Sequence, residues 1–505
     1  MKFNYFNKQK KETSNYEGAK AFTLNPEMEL YTAVVTTGLN EVAYEKNTAR
    51  LARIQQLIAK CEPEFTAKLA IYVRNQMYMR SIPMVLTVEL AKQAKGNSIV
   101  KNTVQGVVKR ADEITELLAY YQMANARTAT KKLNRLSKQI QKGLAASFNT
   151  FDEYQFAKYN RNGEVKLRDA LFLVHPKAKD ENQQAIFNKI ATNTLTTPYT
   201  WETELSDVGQ YNYENEKAKK IAFRQKWEDL IDSNRMGYMA TMRNLRNIVE
   251  AEVSFAHIEK VCQYLSNEKA VANAKQLPFR FLAAYREIKS MKSRYATLIL
   301  EALEDAVMQS AQNIKGFDGN TSVVIACDVS GSMQQPISPK SKIQLYDIGL
   351  MLGMLMQSRC KNVISGMFGD TWKIINMSNR NVLTNVQEFY KREGEVGYST
   401  NGYLVIEDLI KRKEMVDKVM LFTDVQLWNS NRTNHTFENS WNRYKQMAPK
   451  AKLYLFDLAG YGQVPLDIKR NDVYLIAGWS DKIFDVLDAL EKGDSTLTKI
   501  KQITL

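Results

Sequence analysis

The sequence predicts α + α/β: a helical-repeat array followed by a doubly wound parallel α/β domain. Three observations predict it. From about residue 25 to 312, apolar residues recur at helical spacing and Pro is scarce. A Gly/Asp/Asn turn cluster, KGFDGNTS, occupies 315–322. After it, short and nearly continuous apolar runs alternate with helical patterns, the signature of a buried parallel sheet covered on both faces. A chain of 505 residues exceeds a single core, and 44% hydrophobic with 25% charged residues places it among globular proteins. The expected division is 15–314 for the helical part and 320–492 for the α/β part.

The helical part is read from individual faces. TARLARIQQLIAK sets Leu51, Ile54, Leu57 and Ile58 on one stripe. SRYATLILEALEDAVMQSA repeats the pattern with Tyr295, Leu298, Ile299, Ala302, Leu303, Ala306 and Val307. No exact internal repeat is present, so many helices without a strict period predict an irregular solenoid. In the second part, SVVIACDVS, NVISGMFGD, DKVMLFTD, KLYLFDLAG and DVYLIAG read as strands, and KIQLYDIGLMLGMLMQS reads as an apolar helix.

In a doubly wound sheet, ligands bind beyond the carboxyl ends of the strands. Asp328 stands at such an end, followed at alternate positions by Ser330 and Ser332. Asp424 closes VMLFTD, and Thr400 lies in the loop GYSTNG before another helix. A Ser-rich turn capped by Asp is common after a strand. Three such loops at strand ends are a more specific signal. Two carboxylates and three hydroxyls are hard oxygen ligands suited to Mg²⁺. With hydroxyls bound directly and carboxylates acting through water, the ion stays electrophilic and keeps room for an acidic group of a partner. No general base is evident nearby, so binding rather than hydrolysis is expected.

The net charge of +15 favours a polyanionic partner. It is unevenly placed: residues 1–200 carry 30 Lys and Arg against 18 Asp and Glu, whereas residues 201–505 carry 40 against 37. ATKKLNRLSKQIQKG sets Leu133, Leu136, Ile140 and Leu144 on a stripe, with Lys131, Lys132, Arg135, Lys138 and Lys142 around it. A solvated face is the usual fate of such a run; the charge imbalance adds a phosphate-binding reading. EYQFAKYNRNGEVKLRDALFLVHPKAK mixes Lys158, Tyr159, Arg161, Asn162, Lys166 and Arg168 around a Gly turn. Cations for phosphates beside rings for bases suit single-stranded nucleic acid. His175, after an apolar run and before Pro176, reads by itself as a packed core histidine.

Two resemblances sharpen these readings. Asp328, Ser330, Ser332, Thr400 and Asp424 match the metal-ion-dependent adhesion site (MIDAS) of von Willebrand factor A domains position by position. AKYNRNGEVKLRDALFLVHPK resembles the signature of the TROVE module, and MATMRNLRNI (239–248) and QLPFRFLAAYREI (276–288) resemble two further TROVE blocks. A TROVE module followed by a von Willebrand A domain is the arrangement of Ro ribonucleoproteins, and the resemblance runs from roughly 15 to 490. It implies HEAT-like repeats forming a ring closed by the A domain. It also implies small noncoding Y-like RNA on the outer surface, and single-stranded 3′ ends of misfolded RNA in the cavity. Lys158, Arg161 and His175 correspond to RNA-contacting residues of the family. Two departures stand out. The segment between Lys158 and the RNG turn is a residue shorter than in animal members, and GYSTNG lacks their Gly-Gly pair before the Thr.

The expected function is therefore non-enzymatic RNA binding in RNA quality control, with an exoribonuclease as a further partner suggested by bacterial relatives. The rival is a protein-interaction scaffold that grips acidic partner residues at the metal site. Cys61, Cys262, Cys327 and Cys360 are too dispersed for a zinc site and read as reduced thiols. The N-terminal stretch lacks a signal-peptide core, and the longest apolar run, 348–356, falls short of a membrane span. A cytoplasmic monomer without membrane contact is expected.

Overall fold

A computed structural model of the chain describes residues 12–37, 47–94, 96–126, 136–311, 320–337, 341–428, 436–480, 482–491 and 495–505. They form two compact units, and neither is continuous in sequence. One comprises Met1–Ile54, Gln276–Tyr285 and Glu304–Thr496; the other comprises Gln55–Lys275, Arg286–Leu303 and Leu497–Leu505. The first thus takes chain from both expected divisions, whereas the second combines part of the helical division with 497–505, which lies beyond both. No helix among the described residues is long and apolar enough to cross a membrane.

The helical unit stacks neighbours on neighbours. Pro63–Asn75 packs on Ser81–Gln93 and Ile99–Val107, Ser81–Gln93 packs on Asp112–Ala124, and Ile99–Val107 packs on Lys138–Phe148. Each helix buries its apolar stripe against the next, which is how a repeat without its own core is stabilised. Local chemistry fixes the ends. Pro63 sits in the first turn, where its missing N–H breaks no bond. At Glu153–Tyr159, Asp152 Oδ1 accepts from Gln155 N at 2.7 Å while Gln155 Oε1 accepts from Asp152 N at 3.0 Å, a reciprocal capping box.

Helix approach is set by a glycine. A Cβ at Gly143 would lie 2.5 Å from Val104 Cβ, so only glycine lets Lys138–Phe148 come this close to Ile99–Val107. Gly143→Leu is expected to destabilise the helical unit by about 1–3 kcal/mol through overpacking. An unchanged urea unfolding transition would show that the helices separate without penalty.

Among the described residues, the other unit is built on nine strands: β1 (Glu12–Ser14), β2 (Lys20–Thr23), β3 (Ser322–Asp328), β4 (Asn362–Phe368), β5 (Trp372–Ile374), β6 (Lys418–Thr423), β7 (Lys452–Asp457), β8 (Gln463–Val464) and β9 (Val473–Ala477). The main sheet has the order β5-β4-β3-β6-β7-β9 and is parallel except for β5, which pairs antiparallel with β4. The five apolar runs of the sequence are its five parallel strands. β5 departs from the expected all-parallel sheet because it returns directly from β4 in a hairpin, and a short connection permits only antiparallel pairing. The helix Leu345–Gln357 is buried along its whole length. A Cβ at Gly353 would meet Cys327 Sγ at 3.0 Å, so the helix lies tight on β3.

The N-terminal segment belongs to this unit. β1, β2 and β8 form a small antiparallel sheet, and Phe22 and Leu24 enter the core with Val324, Leu421 and Trp441. Arg50 is fully buried and donates through Nη2 to the Ala459 carbonyl at 2.5 Å. Its charge, with that of Arg53, opposes the burial that pushes the Asp457 carboxyl up to about 6.

Candidate nucleic-acid interface and candidate metal centre

In the α/β unit, three loops meet at the carboxyl ends of β3, β4 and β6. Gly331 N donates to the Tyr398 carbonyl at 3.1 Å, Asn401 N to the Gly369 carbonyl at 3.2 Å, and Trp428 N to the Thr400 carbonyl at 3.0 Å. These bonds tie the loops of Ser330, Thr400 and Asp424 to one another. Strand direction explains two of the three, since the parallel strands β3 and β6 deliver their exits to one edge, and the Thr400 loop, which precedes the helix Tyr403–Arg412, is held there by its bonds to Gly369 and Trp428.

Asp328, Ser330, Ser332, Thr400 and Asp424 are all buried. Asp328 Oδ1 accepts from Ser330 N at 2.9 Å and Oδ2 from Thr423 Oγ1 at 2.6 Å; Ser330 and Ser332 hydroxyls lie 3.2 Å apart. Thr423, which orients Asp328, was not singled out in the sequence; its only signal was its place beside Asp424 at the strand end. Asp424 Oδ1 accepts from Gln426 N at 3.1 Å. Asp424 Oδ2 and Thr400 Oγ1 have no hydrogen-bond partner among the described residues.

Burial pushes the Asp328 carboxyl up to about 6. Burial, and then the Asp328 charge, push Asp424 up to about 8. The two titrate as a pair. A cation between them would relieve both desolvation and repulsion, and the orphaned oxygens supply lone pairs for it. The donor set therefore fits a hard divalent ion. Among the described residues, no group of three or more His, Cys, Asp or Glu is placed to hold a metal, so any ion here would depend on the hydroxyls.

In the helical unit, cations and rings interleave on an exposed face. Lys158 Nζ lies 5.5 Å from the Tyr154 ring centre and 5.8 Å from that of Tyr159. The Arg110 guanidinium stands 4.1 Å from the Tyr159 ring centre, and Arg168 lies 5.7 Å from that of Phe172. Tyr154 and Phe172 are 45% and 50% exposed, too open for core residues of this size. Arg110 was not singled out in the sequence, because only folding brings it over Tyr159; Tyr154 and Phe172 were not singled out either, although each lies four residues along the same helix from Lys158 or Arg168.

Lys158 and Arg161 are exposed at the end of Glu153–Tyr159 and in the following turn. His175 is also exposed, so the core reading of this residue is corrected. It caps Leu167–Val174 with a left-handed φ of 51°, which swings it out of the helix's buried face. Lys138 and Lys142 are exposed on Lys138–Phe148. Between them, Gln141 donates to the carbonyls of Leu173 and Val174 at 3.4 and 3.2 Å, which brings this basic helix to the His175 turn. Lys131, Lys132, Arg135 and Leu133 lie outside the described residues.

Comparison with known proteins adds three findings. The TROVE domain family matches residues 19–220 and 194–316. Telomerase protein component 1 of Mus musculus is 24% identical over 320 residues, covering 50% of this chain and 12% of that protein. The protein of the same name from Rattus norvegicus is 23% identical over the same length. The chain thus spans about an eighth of these relatives. The crystal structure of the Deinococcus radiodurans RO (RSR) protein aligns with a TM-score of 0.58 and 17% identity, covering 93% of this chain and 100% of that one. That likeness shows the fold: helical repeats with a mostly parallel, six-stranded α/β unit.

Proposed function

From a chain that belongs to the TROVE domain family, we propose an RNA-binding ribonucleoprotein component that holds small noncoding, Y-like RNA and the single-stranded 3′ ends of misfolded RNA. The observation that carries this reading is the exposed alternation of cations and rings from Arg110 through Phe172. Phosphates are attracted by Lys158, Arg161 and Arg168, and bases find open aromatic faces at Tyr154 and Phe172. The reading is non-enzymatic and cytoplasmic, in RNA quality control, with an exoribonuclease as an associated partner and the chain itself a monomer. Purification without nuclease is its test: co-purifying RNA with strong absorbance at 260 nm is expected, and nucleic-acid-free protein that binds no added RNA sinks it.

Structured RNA is held on this reading through phosphates. Replacing Lys131, Lys132, Arg135 and Lys138 together by Ala is expected to weaken binding and flatten its salt dependence, since each lost phosphate contact lowers the slope of log K against log salt by about 0.7–0.9. Equal affinity and slope would make that stretch ordinary solvated surface.

The α/β unit is proposed to hold one Mg²⁺ with Ser330, Ser332 and Thr400, and with Asp328 and Asp424 acting directly or through water. When bound, the ion would supply a Lewis-acidic position for one acidic group. The chain's own contribution is orientation: Thr423 and Ser330 N fix Asp328, and Gln426 N fixes Asp424. The orphaned Asp424 Oδ2 and Thr400 Oγ1 also favour a second reading, a scaffold that grips an acidic residue of a protein partner.

A further inference from the structure

Beside Tyr159 of the cation–ring face lies an open cavity of about 220 Å³, bordered by Asp112 and Glu116 on one side and by Tyr159, Arg161, Asn162 and Glu164 on the other. The volume is below the roughly 300–1,000 Å³ of pockets for drug-sized ligands. It suits a single heterocycle. Two helical segments far apart in sequence make its walls: Asp112–Ala124, and the turn after Glu153–Tyr159.

The polar groups of the cavity divide in two. Asp112 is engaged, with the Arg110 guanidinium at 2.7 Å and Arg80 at 3.1 Å. The side chains of Glu116, Glu164, Arg161 and Asn162 have no hydrogen-bond or ion-pair partner among the described residues. The cavity therefore offers acceptors at two carboxylates, donors at a guanidinium and an amide, and an aromatic face at Tyr159 already backed by Arg110.

We infer that this cavity is a subsite for one unstacked guanine of a bound single strand, an inference that rests on the RNA-binding reading. Guanine is the base whose edges match. Its N1–H and N2 amino group donate side by side, which a carboxylate accepts as a pair. Its O6 and N7 accept side by side, which Arg takes as a pair. Adenine presents an acceptor at N1 towards the carboxylates, and cytosine presents one at N3. Uracil has one N–H between two carbonyls. An arginine of a protein partner would also satisfy Glu116 and Glu164. The surrounding Lys158, Arg161 and Arg168 repel such a cation and attract a phosphate chain, so the strand is favoured.

The test uses the full chain and short single-stranded oligouridylates carrying one central G, A, C or inosine, compared with the all-U strand in fluorescence anisotropy at fixed salt. The G strand is expected to bind about tenfold tighter than the A, C and all-U strands, the low end of what one paired base contact gives because the site is open to solvent. Inosine, which lacks the N2 amino group, should lose most of that advantage. Glu116→Gln with Glu164→Gln should bring the natural-base strands to within about twofold of one another, whereas Lys158→Ala should weaken all of them alike. Equal binding of all strands by the wild type overturns the guanine subsite while leaving RNA binding in place. No binding of any RNA overturns both. An arginine-containing peptide that binds the wild type and not the double Gln variant, with the strands bound alike, assigns the cavity to a protein partner and likewise overturns it.

Discussion

Asp424→Asn is expected to erase the thermal stabilisation that Mg²⁺ gives the wild-type chain, while leaving the metal-free protein as stable as before or more so. The second half follows from the site's electrostatics. Burial and the neighbouring Asp328 charge push the Asp424 carboxyl up to about 8, so ionising it inside the fold is unfavourable. An amide of the same shape carries no charge and keeps Oδ1 as an acceptor for Gln426 N. The first half follows from mass action: at a hundred times its dissociation constant an ion that binds only the folded state adds about 2.7 kcal/mol, and the variant forfeits this. Asp328→Ala should also lose the Mg²⁺ response. It should destabilise the metal-free protein too, by about 1–3 kcal/mol, because it leaves Thr423 Oγ1 buried without its acceptor.

The same pair sets a pH dependence. Both carboxyls have folded values above the ordinary carboxylate value of 3.8. Without metal, their contribution to stability is therefore greatest at low pH and declines as pH rises from about 4 to about 8. Mg²⁺ must displace those protons, so its stabilisation should be slight at pH 5 and largest above pH 8. Thermal melts with Mg²⁺ or with chelator across this range, on wild type and Asp424→Asn, read both effects. A wild-type melt indifferent to Mg²⁺ at every pH, or a response retained in Asp424→Asn, refutes the metal assignment.

The second large effect is on RNA with a single-stranded end. A duplex carrying a 3′ tail should outcompete the same duplex with blunt ends, because each base stacked on an open ring adds about 1–3 kcal/mol and a duplex keeps its bases stacked on one another. Lys158→Ala with His175→Asn should remove most of the tail advantage. Asn is chosen at 175 because the backbone there is left-handed, a conformation Asn tolerates and Ala resists by about 1–2 kcal/mol. The Mg²⁺ response of the α/β unit should survive in this variant. A competition gel shift at fixed salt decides the matter. Equal affinity for tailed and blunt RNAs in the wild type rejects tail capture, even where RNA still binds well.

Much of this molecule can be read from local pattern. The five parallel strands are continuous apolar runs because both faces of the sheet are covered, and the helices of the repeat array show their stripes because one face of each is buried. The loop around Asp328 is legible for a related reason: side chains that end a buried strand and are not apolar need another explanation. The cation–ring stretch 158–168 is legible by composition, as far as its own residues go.

Tertiary structure alone decided the rest. Periodicity reports that a side chain is buried, never against what. The sequence thus contains no sign that the segment 12–24 pairs with β8 and enters the core beside the sheet, or that Arg50 is fully buried with its guanidinium on the Ala459 carbonyl. His175 has the neighbours of a core residue, yet one left-handed backbone angle turns it to solvent. Thr423, Arg110 and Glu116 acquire their roles from groups many residues away. By itself the sequence determined the order of the repeat helices and of the five parallel strands, and the chemistry of its clustered motifs, because those depend on neighbours three or four positions off. Which buried oxygens were left without partners, and that Arg110 came to lie over the Tyr159 ring, depended on long-range packing that no local pattern encodes.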